Sequence, residues 1–251
     1  MSKTRVDALM VARGFADNET RAQALIIAGK VYTGERRLEK PGQKISDDAP
    51  LEVRGPDYPW VSRGGVKLAH ALERFDIDPS GQAALDIGAA TGGFTDVLLS
   101  QGATRVYAID VGHGQLDWRL RNDPRVVVLE RTNARHLNAD LVSEAIYMVV
   151  CDASFIGLRT ILPASLKIAA SGALLVALIK PQFEVRKEQV GKHGVIRDPA
   201  LREEACERIR SWLDSLLDWS VLGIIESPIT GPRGNVEYLI AARKTRSDAG
   251  V

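Results

Sequence analysis

Five apolar runs of strand length recur along the chain, at residues 83–87, 106–109, 126–129, 146–150 and 173–179. Each is nearly continuous rather than alternating, as strands buried on both faces read, and helical patterns lie between them. That alternation predicts an α/β domain built on a mostly parallel sheet covered on both sides. Asp198-Pro199 opens a further helix, with Leu201, Ala205, Ile209, Trp212 and Leu213 at helical spacing and Cys206 on its buried side. Two last strands, near residues 221–226 and 236–242, bring the sheet to seven across a short turn at Gly231-Pro232-Arg233-Gly234.

The first 54 residues have a different texture. Val6, Leu9, Met10 and Phe15 predict a helix that stops near Gly14. A second begins after the capping pair Asp17-Asn18 and runs through Ala24, Leu25 and Ile27 to Gly29. Extended pieces follow at Val31-Tyr32, Lys44-Ile45 and Leu51-Glu52-Val53, which makes a small α+β unit. Residues 55–61, with two prolines, read as a linker. The expected organisation is therefore 1–54, a linker 55–61, a larger domain 62–243 and a frayed tail 244–251.

Composition narrows the class. The chain has 251 residues, 45% apolar and 26% charged, which excludes wholesale disorder and a disulfide scaffold. The longest stretch without a charge, between Lys167 and Lys180, is far short of the ~18–20 residues that span a bilayer. The N-terminus lacks the apolar core of a signal peptide, so a cytoplasmic location and no membrane partner are expected. Cys151 and Cys206 stand apart, without metal-ligand or redox spacing, and read as reduced core thiols; no metal is expected. Net charge is +1, with ten Lys/Arg and nine Asp/Glu in residues 1–60. Bulk charge therefore neither demands nor excludes nucleic acid.

The candidate chemistry begins at Leu85-Asp86-Ile87-Gly88-Ala89-Ala90-Thr91-Gly92-Gly93-Phe94, where a strand ends and a helix opens. Small residues there let backbone amides approach a ligand at the helix N-terminus, and Asp86 can accept a hydrogen bond within the turn. The spacing Gly88, Gly92, Gly93 does not fit the dinucleotide pattern Gly-x-Gly-x-x-Gly. It resembles instead the loop that holds S-adenosylmethionine in class I methyltransferases, with Ala90 in place of a common central glycine. Asp110, at the end of the next strand, is placed to bind ribose hydroxyls.

Four polar residues fall at strand ends or at the domain entry: Lys67, Asp152, Lys180 and Glu237. Asp152 and Lys180 each end an apolar run, where an unpaired charge is costly. Methylation of an alcohol needs a base, and lysine serves when burial and neighbouring positive charge favour its neutral form.

Together with the glycine turn, three segments carry a resemblance: Cys151-Asp152-Ala153-Ser154-Phe155, Ile179-Lys180-Pro181-Gln182-Phe183-Glu184 and Gly231-Pro232-x-Gly234-Asn235-x-Glu237. They look like the TlyA family of ribosomal RNA 2′-O-methyltransferases, historically named haemolysins. Its catalytic domain is similar to the FtsJ-type, Rossmann-like methyltransferases, which carry a Lys-Asp-Lys-Glu tetrad. The resemblance spans residues 3–243 and implies S-adenosylmethionine as cofactor. It implies Lys180 as the proton acceptor for the 2′-hydroxyl and Lys67 as the residue that holds the ribose and tunes Lys180. Asp152 would orient Lys180 and favour the positive methyl donor, and Glu237 would fix Lys67 and the substrate sugar. The cofactor residues it implies are Asp86, Gly88, Ala89, Gly92, Gly93, Phe94, Asp110, Val111 and Asp152, with Asn133 at the adenine end.

Thr20-Arg21, Ala24, Ile27, Gly29 and Val31, followed by Lys40-Pro41-Gly42, resemble the RNA-binding domain of ribosomal small-subunit protein four. The resemblance implies ribosomal RNA or a ribosomal subunit as partner. Arg5, Arg13, Arg21, Lys30, Arg36, Arg37 and Lys44 are the available phosphate contacts, with Arg63 at the domain entry. Two other readings compete: a non-catalytic RNA-binding assembly factor, and a membrane-lytic protein as the family's old label suggests. A complete tetrad argues against the first, and the lack of a spanning segment against the second.

Overall fold

The computed structural model describes residues 3–16, 18–27, 29–55, 58–231 and 233–245. The chain divides into two compact units, Met1–Pro59 and Trp60–Val251, and the division falls inside the stretch read as a linker. Asp17, Pro56, Asp57, Pro232 and residues 246–251 of the expected tail lie outside the described residues.

In the smaller unit, helices Val6–Ala12 and Glu19–Ile27 pack through Val6, Met10 and Ile26 around Leu38. Asn18 caps the second helix, its side-chain oxygen accepting from the Arg21 amide at 2.9 Å. Phe15 lies beyond the first helix and is exposed, contrary to the helical reading. Two strands escaped the hydrophobic pattern because they are almost wholly polar. Lys3–Arg5 pairs with Lys44–Ser46, and Arg36–Arg37 pairs with Val31–Thr33, which also pairs with Glu52–Val53.

In the larger unit, seven strands form one sheet among the described residues: β1 (Ala83–Ile87), β2 (Arg105–Ile109), β3 (Val126–Leu129), β4 (Ile146–Cys151), β5 (Ala169–Ile179), β6 (Trp219–Glu226) and β7 (Tyr238–Lys244). Their order is β6-β7-β5-β4-β1-β2-β3; the first five pair in parallel, and β7 runs antiparallel to both β5 and β6. Two apolar clusters, one holding Leu85 and Ile87 and the other Leu68 and Leu98, cover the two faces. The helix Pro199–Asp214 starts as read, with the Asp198 carboxylate accepting from Ala200 N at 3.0 Å, and buries Ala205, Ile209 and Leu213. Burial pushes both thiols, Cys151 and Cys206, up to about 12, so they stay protonated.

Three boundaries differ from expectation. A register shift lets β5 start at Ala169, four residues early. The strand β7 starts later than read, at Tyr238, and the short turn read within its connection from β6 is closed by Gly234 N donating to the Gly231 carbonyl at 2.9 Å and Gly231 N to the Asn235 carbonyl at 2.8 Å. Lys244 ends β7 and donates to the carbonyls of Leu166 and Ala169, so the ordered domain outlasts residue 243. Among the described residues no helix is long and apolar enough to cross a membrane.

Candidate active site

Strand order reverses between β1 and β4, and parallel sheets open a crevice at such a point, beyond the C-terminal ends of the strands. A cleft of about 510 Å³ lies there, lined by Gly88, Ala89, Ala90, Gly93 and Phe94 and by the four polar residues. That volume is in the range of small-molecule sites.

Residues 28 to 170 positions apart in sequence converge in its wall. Lys67 comes from the helix Gly64–Arg74, Asp152 follows β4, Lys180 follows β5 and Glu237 immediately precedes β7. Lys67, Lys180 and Glu237 are buried, and Lys67 Nζ donates to Glu237 Oε2 at 2.7 Å. It also stands 3.7 Å from Asp152 Oδ2. Lys180 Nζ makes a close ion pair with Asp152 Oδ1 at 2.6 Å, and donates to the Asp152 carbonyl at 3.1 Å and to Ser154 Oγ at 2.8 Å. Two cations and two carboxylates cancel, which is how buried charges are tolerated. Gly231 must be small: a Cβ there would lie 2.6 Å from Glu237 Oε1.

The glycine turn is held from both flanks. Gly88 N and Ala89 N donate to the Ile109 carbonyl, and Asp152 N donates to the Ile87 carbonyl. Gly88 has φ +79°, and a Cβ on it would sit 2.8 Å from Ala153 Cα. Ala90 also takes positive φ, +46°, a conformation that strains a residue with a Cβ. Phe94 is buried and still lines the cleft.

Other expected cofactor residues act at one remove or stand elsewhere. Asp86 is wholly buried under the turn; its Oδ2 accepts from Thr95 Oγ1 at 2.6 Å, and burial pushes its carboxyl up to about 7. Gly92 has φ +97° and is crowded by Leu116 and Leu120, so it serves packing rather than the cleft. The Asp110 carboxylate accepts from Ala90 N at 2.9 Å and Gly112 N at 2.7 Å, which ties the glycine turn to the next loop. Val111 is 71% exposed and belongs to neither cleft nor core. Asn133 caps a short turn, its side chain accepting from Arg135 N.

The basic residues of the smaller unit are partly engaged in its own structure. Arg5 pairs with the buried Asp7, Arg13 donates to the carbonyls of Asp47 and Ala49, Lys30 to that of Tyr58, and Arg37 pairs with Glu39. Arg36 and Lys44 are exposed, and Arg36, Arg37 and Lys40 border one surface hollow. In the larger unit Arg63 donates to the Thr230 carbonyl at 2.6 Å and lines the cleft.

Sequence reasoning missed several residues here. The Phe155 ring is 88% exposed at the cleft rim and lies 5.2 Å from that of Phe183. Asn235 is buried and joins two walls, donating to the Gly194 carbonyl at 2.8 Å and accepting from Ile196 N at 2.9 Å. Glu184 Oε1 accepts from Leu158 N at 2.8 Å, and burial pushes its carboxyl up to about 7. All three stand in the motifs quoted above, where an aromatic or amide next to a charged residue was the available signal. Among the described residues no cluster of three or more His, Cys, Asp or Glu is placed to hold a metal.

A 6-7-5-4-1-2-3 sheet, a glycine turn after its first strand and an acidic residue ending the second define a Rossmann-like methyltransferase. The FtsJ-like methyltransferase family model matches residues 60–244. The 16S/23S rRNA (cytidine-2′-O)-methyltransferase TlyA of Mycobacterium tuberculosis is 49% identical over 247 residues, 98% of this chain and 91% of that protein. A hemolysin-named structure from Streptococcus thermophilus superposes with a TM-score of 0.73 at 41% identity, covering 99% of this chain and 92% of that one. An S-adenosylmethionine dependent methyltransferase from Listeria monocytogenes shares the fold at a TM-score of 0.53 and 16% identity, over 74% of this chain and 100% of its own. The chain belongs to the TlyA family of FtsJ-like methyltransferases. Its cofactor is S-adenosylmethionine. The turn fits that group: glycine backbone lining the cleft at Gly88 and Gly93, an apolar face on Phe94 and a carboxylate at Asp152 suit a sulfonium beside an adenosine.

Proposed function

We propose that this chain methylates ribose 2′-hydroxyls of ribosomal RNA, using Lys67, Asp152, Lys180 and Glu237. The observation that carries the reading is the meeting of these four side chains in the cleft that the glycine turn also lines. Its relatives' names point to the same substrate: the M. tuberculosis protein is named for cytidine 2′-O-methylation of 16S and 23S rRNA.

When bound, S-adenosylmethionine supplies a methyl group activated by the adjoining sulfonium. The chain's residues prepare the acceptor. Lys180, as the free amine, takes the proton of the incoming 2′-hydroxyl, a step that contributes about 10²–10⁴-fold in enzymes of this kind. Asp152 holds Lys180 through Oδ1 and keeps a negative charge beside the methyl donor. Lys67, fixed by Glu237, presents its charge to the acceptor ribose and to Asp152 Oδ2. Phe155, solvent-facing over Phe183, offers a face on which the base of that nucleotide stacks. The smaller unit, read as a domain like that of ribosomal protein four, docks the enzyme on folded RNA through Arg21, Arg36 and Lys44.

The test is incubation of each purified ribosomal subunit with methyl-labelled S-adenosylmethionine, followed by mapping of methylated riboses. Label on ribose oxygens of either subunit's RNA is the expected result. Label on bases alone, or none, overturns the reading.

A further inference from the structure

Lys180 Nζ has three oxygens around it: Asp152 Oδ1 at 2.6 Å, Ser154 Oγ at 2.8 Å and the Asp152 carbonyl at 3.1 Å. An ammonium has three protons to give; the Asp152 carbonyl and Ser154 Oγ accept two of them in hydrogen bonds, and Asp152 Oδ1 meets the cation as an ion-pair partner. The neutral amine has two protons and a lone pair. A carboxylate oxygen and a carbonyl only accept; a hydroxyl both accepts and donates. Ser154 is therefore the one neighbour of the three that can face an N–H of the ammonium or the lone pair of the amine.

We propose that Ser154 is a positioning residue for the reaction, its hydroxyl accepting from the Lys180 ammonium and turning to donate to the Lys180 amine. The proposal rests on Lys180 being the base. Before substrate binds, the Ser154 O–H caps the lone pair and fixes its direction toward the cleft. The incoming 2′-hydroxyl displaces that cap and passes one proton to Nζ. Nζ then has three N–H bonds again, Ser154 accepts the third, and the proton later leaves to water. Atoms and charge balance at each point: one proton moves from the acceptor oxygen to nitrogen, then to solvent.

The geometry around Ser154 supports a fixed position. The segment begins where Asp152 N donates to the Ile87 carbonyl and ends where Leu158 N donates to Glu184. Gly157 packs on the same carboxylate; a Cβ there would lie 3.0 Å from Glu184 Oε2. Phe155 turns the chain at φ +65°, so Ser154 looks into the cleft and not along the strand.

Among the described residues, five other charged groups line the cleft with Lys180, namely Asp152 after β4, Lys67, Glu237, Arg63 and Arg233, and the buried Cys151 ends β4 beside it. They are common to every variant below, so only differences between variants are read.

The test uses the full chain as wild type, Ser154→Ala and Ser154→Thr. Acylation of Lys180 by an amine-directed reagent is followed by mass spectrometry across pH, without RNA or cofactor. The same variants give kcat against pH on a ribosomal substrate. Loss of an acceptor to a charged group is expected to move the Lys180 acylation curve in Ser154→Ala down by about one pH unit. The rising limb of kcat moves with it, the plateau falls about tenfold, and KM for RNA and Kd for S-adenosylmethionine hold. Threonine, which keeps the hydroxyl, restores both curves. An acylation curve in Ser154→Ala that coincides with wild type overturns the proposal, as does a lowered kcat with an unmoved limb and an unmoved curve. A displaced acylation curve beside an unmoved rate profile instead overturns Lys180 as the base, which separates the two failures.

Discussion

Lys67 and Lys180 grip one carboxylate from opposite sides: Lys67 Nζ faces Asp152 Oδ2 at 3.7 Å, and Lys180 Nζ faces Oδ1 at 2.6 Å. Two ammonium groups near a single carboxylate repel each other, and Glu237 offsets that repulsion from the far side of Lys67 at 2.7 Å. The arrangement gives the two lysines different neighbours. Lys67 is bracketed by two carboxylates. Lys180 has one carboxylate, a carbonyl and a hydroxyl.

That asymmetry predicts unequal outcomes for two substitutions. Lys180→Met should lower single-turnover methyl transfer by about 10²–10⁴-fold while calorimetry finds S-adenosylmethionine affinity within about threefold of wild type. A variant that still transfers methyl groups near the wild-type rate would show that another group takes the proton.

Lys67→Met carries a stability penalty as well, because it leaves Glu237, 1% exposed, without its partner. Stranding a buried charge costs about 3–5 kcal/mol. Adding Glu237→Gln removes that charge, so the double variant should recover most of the lost stability in urea melts. Activity should not return with it. Equal stability of the single and double variants would mean that the pair is not a buried ion pair in solution.

Gly88 separates cofactor geometry from proton chemistry. With φ +79° and Ala153 Cα 2.8 Å from any added Cβ, Gly88→Ala pushes the turn away from the segment after β4. We expect S-adenosylmethionine Kd to rise at least tenfold with far-ultraviolet circular dichroism unchanged. Retained affinity would place the cofactor off this turn.

The parts legible in the sequence share one cause. The residues of β1, β4 and the second half of β5 announce themselves because strands buried on both faces are continuous apolar runs, and Lys180 and Asp152 stand out by ending such runs. Polar strands such as Arg36–Arg37 have no such signature; their pairing comes from backbone hydrogen bonds to Val31–Thr33. The cofactor residues were legible as a turn and not atom by atom. Asp110 was read as a ligand from its place at a strand end; that its carboxylate also ties Ala90 N to Gly112 N is a contact that no spacing rule encodes. Val111 follows a buried strand in sequence but faces solvent, since the chain leaves the sheet at Asp110. Ser154 was in plain view in its motif. Its meaning depends on a lysine 26 residues later folding back to 2.8 Å.

Asp86 and Glu184 make stability depend on pH in a defined direction. Burial raises both carboxyls to about 7, against ordinary values of 3.8 and 4.5. Between those limits the folded chain keeps protons that the unfolded chain has released. Unfolding then releases protons, so the contribution of these groups is full below about pH 4 and is lost as pH rises through 7. Asp86→Asn with Glu184→Gln keeps the shapes, including an oxygen for Leu158 N, and removes both titrations. The quantity to follow is the wild-type Tm minus that of the double variant, which cancels every other ionisable group. It should fall steadily from pH 5 to pH 8. A difference that is flat or rising over that interval would mean that both carboxyls titrate in the ordinary carboxylate range and that the glycine turn rests on an ionised Asp86.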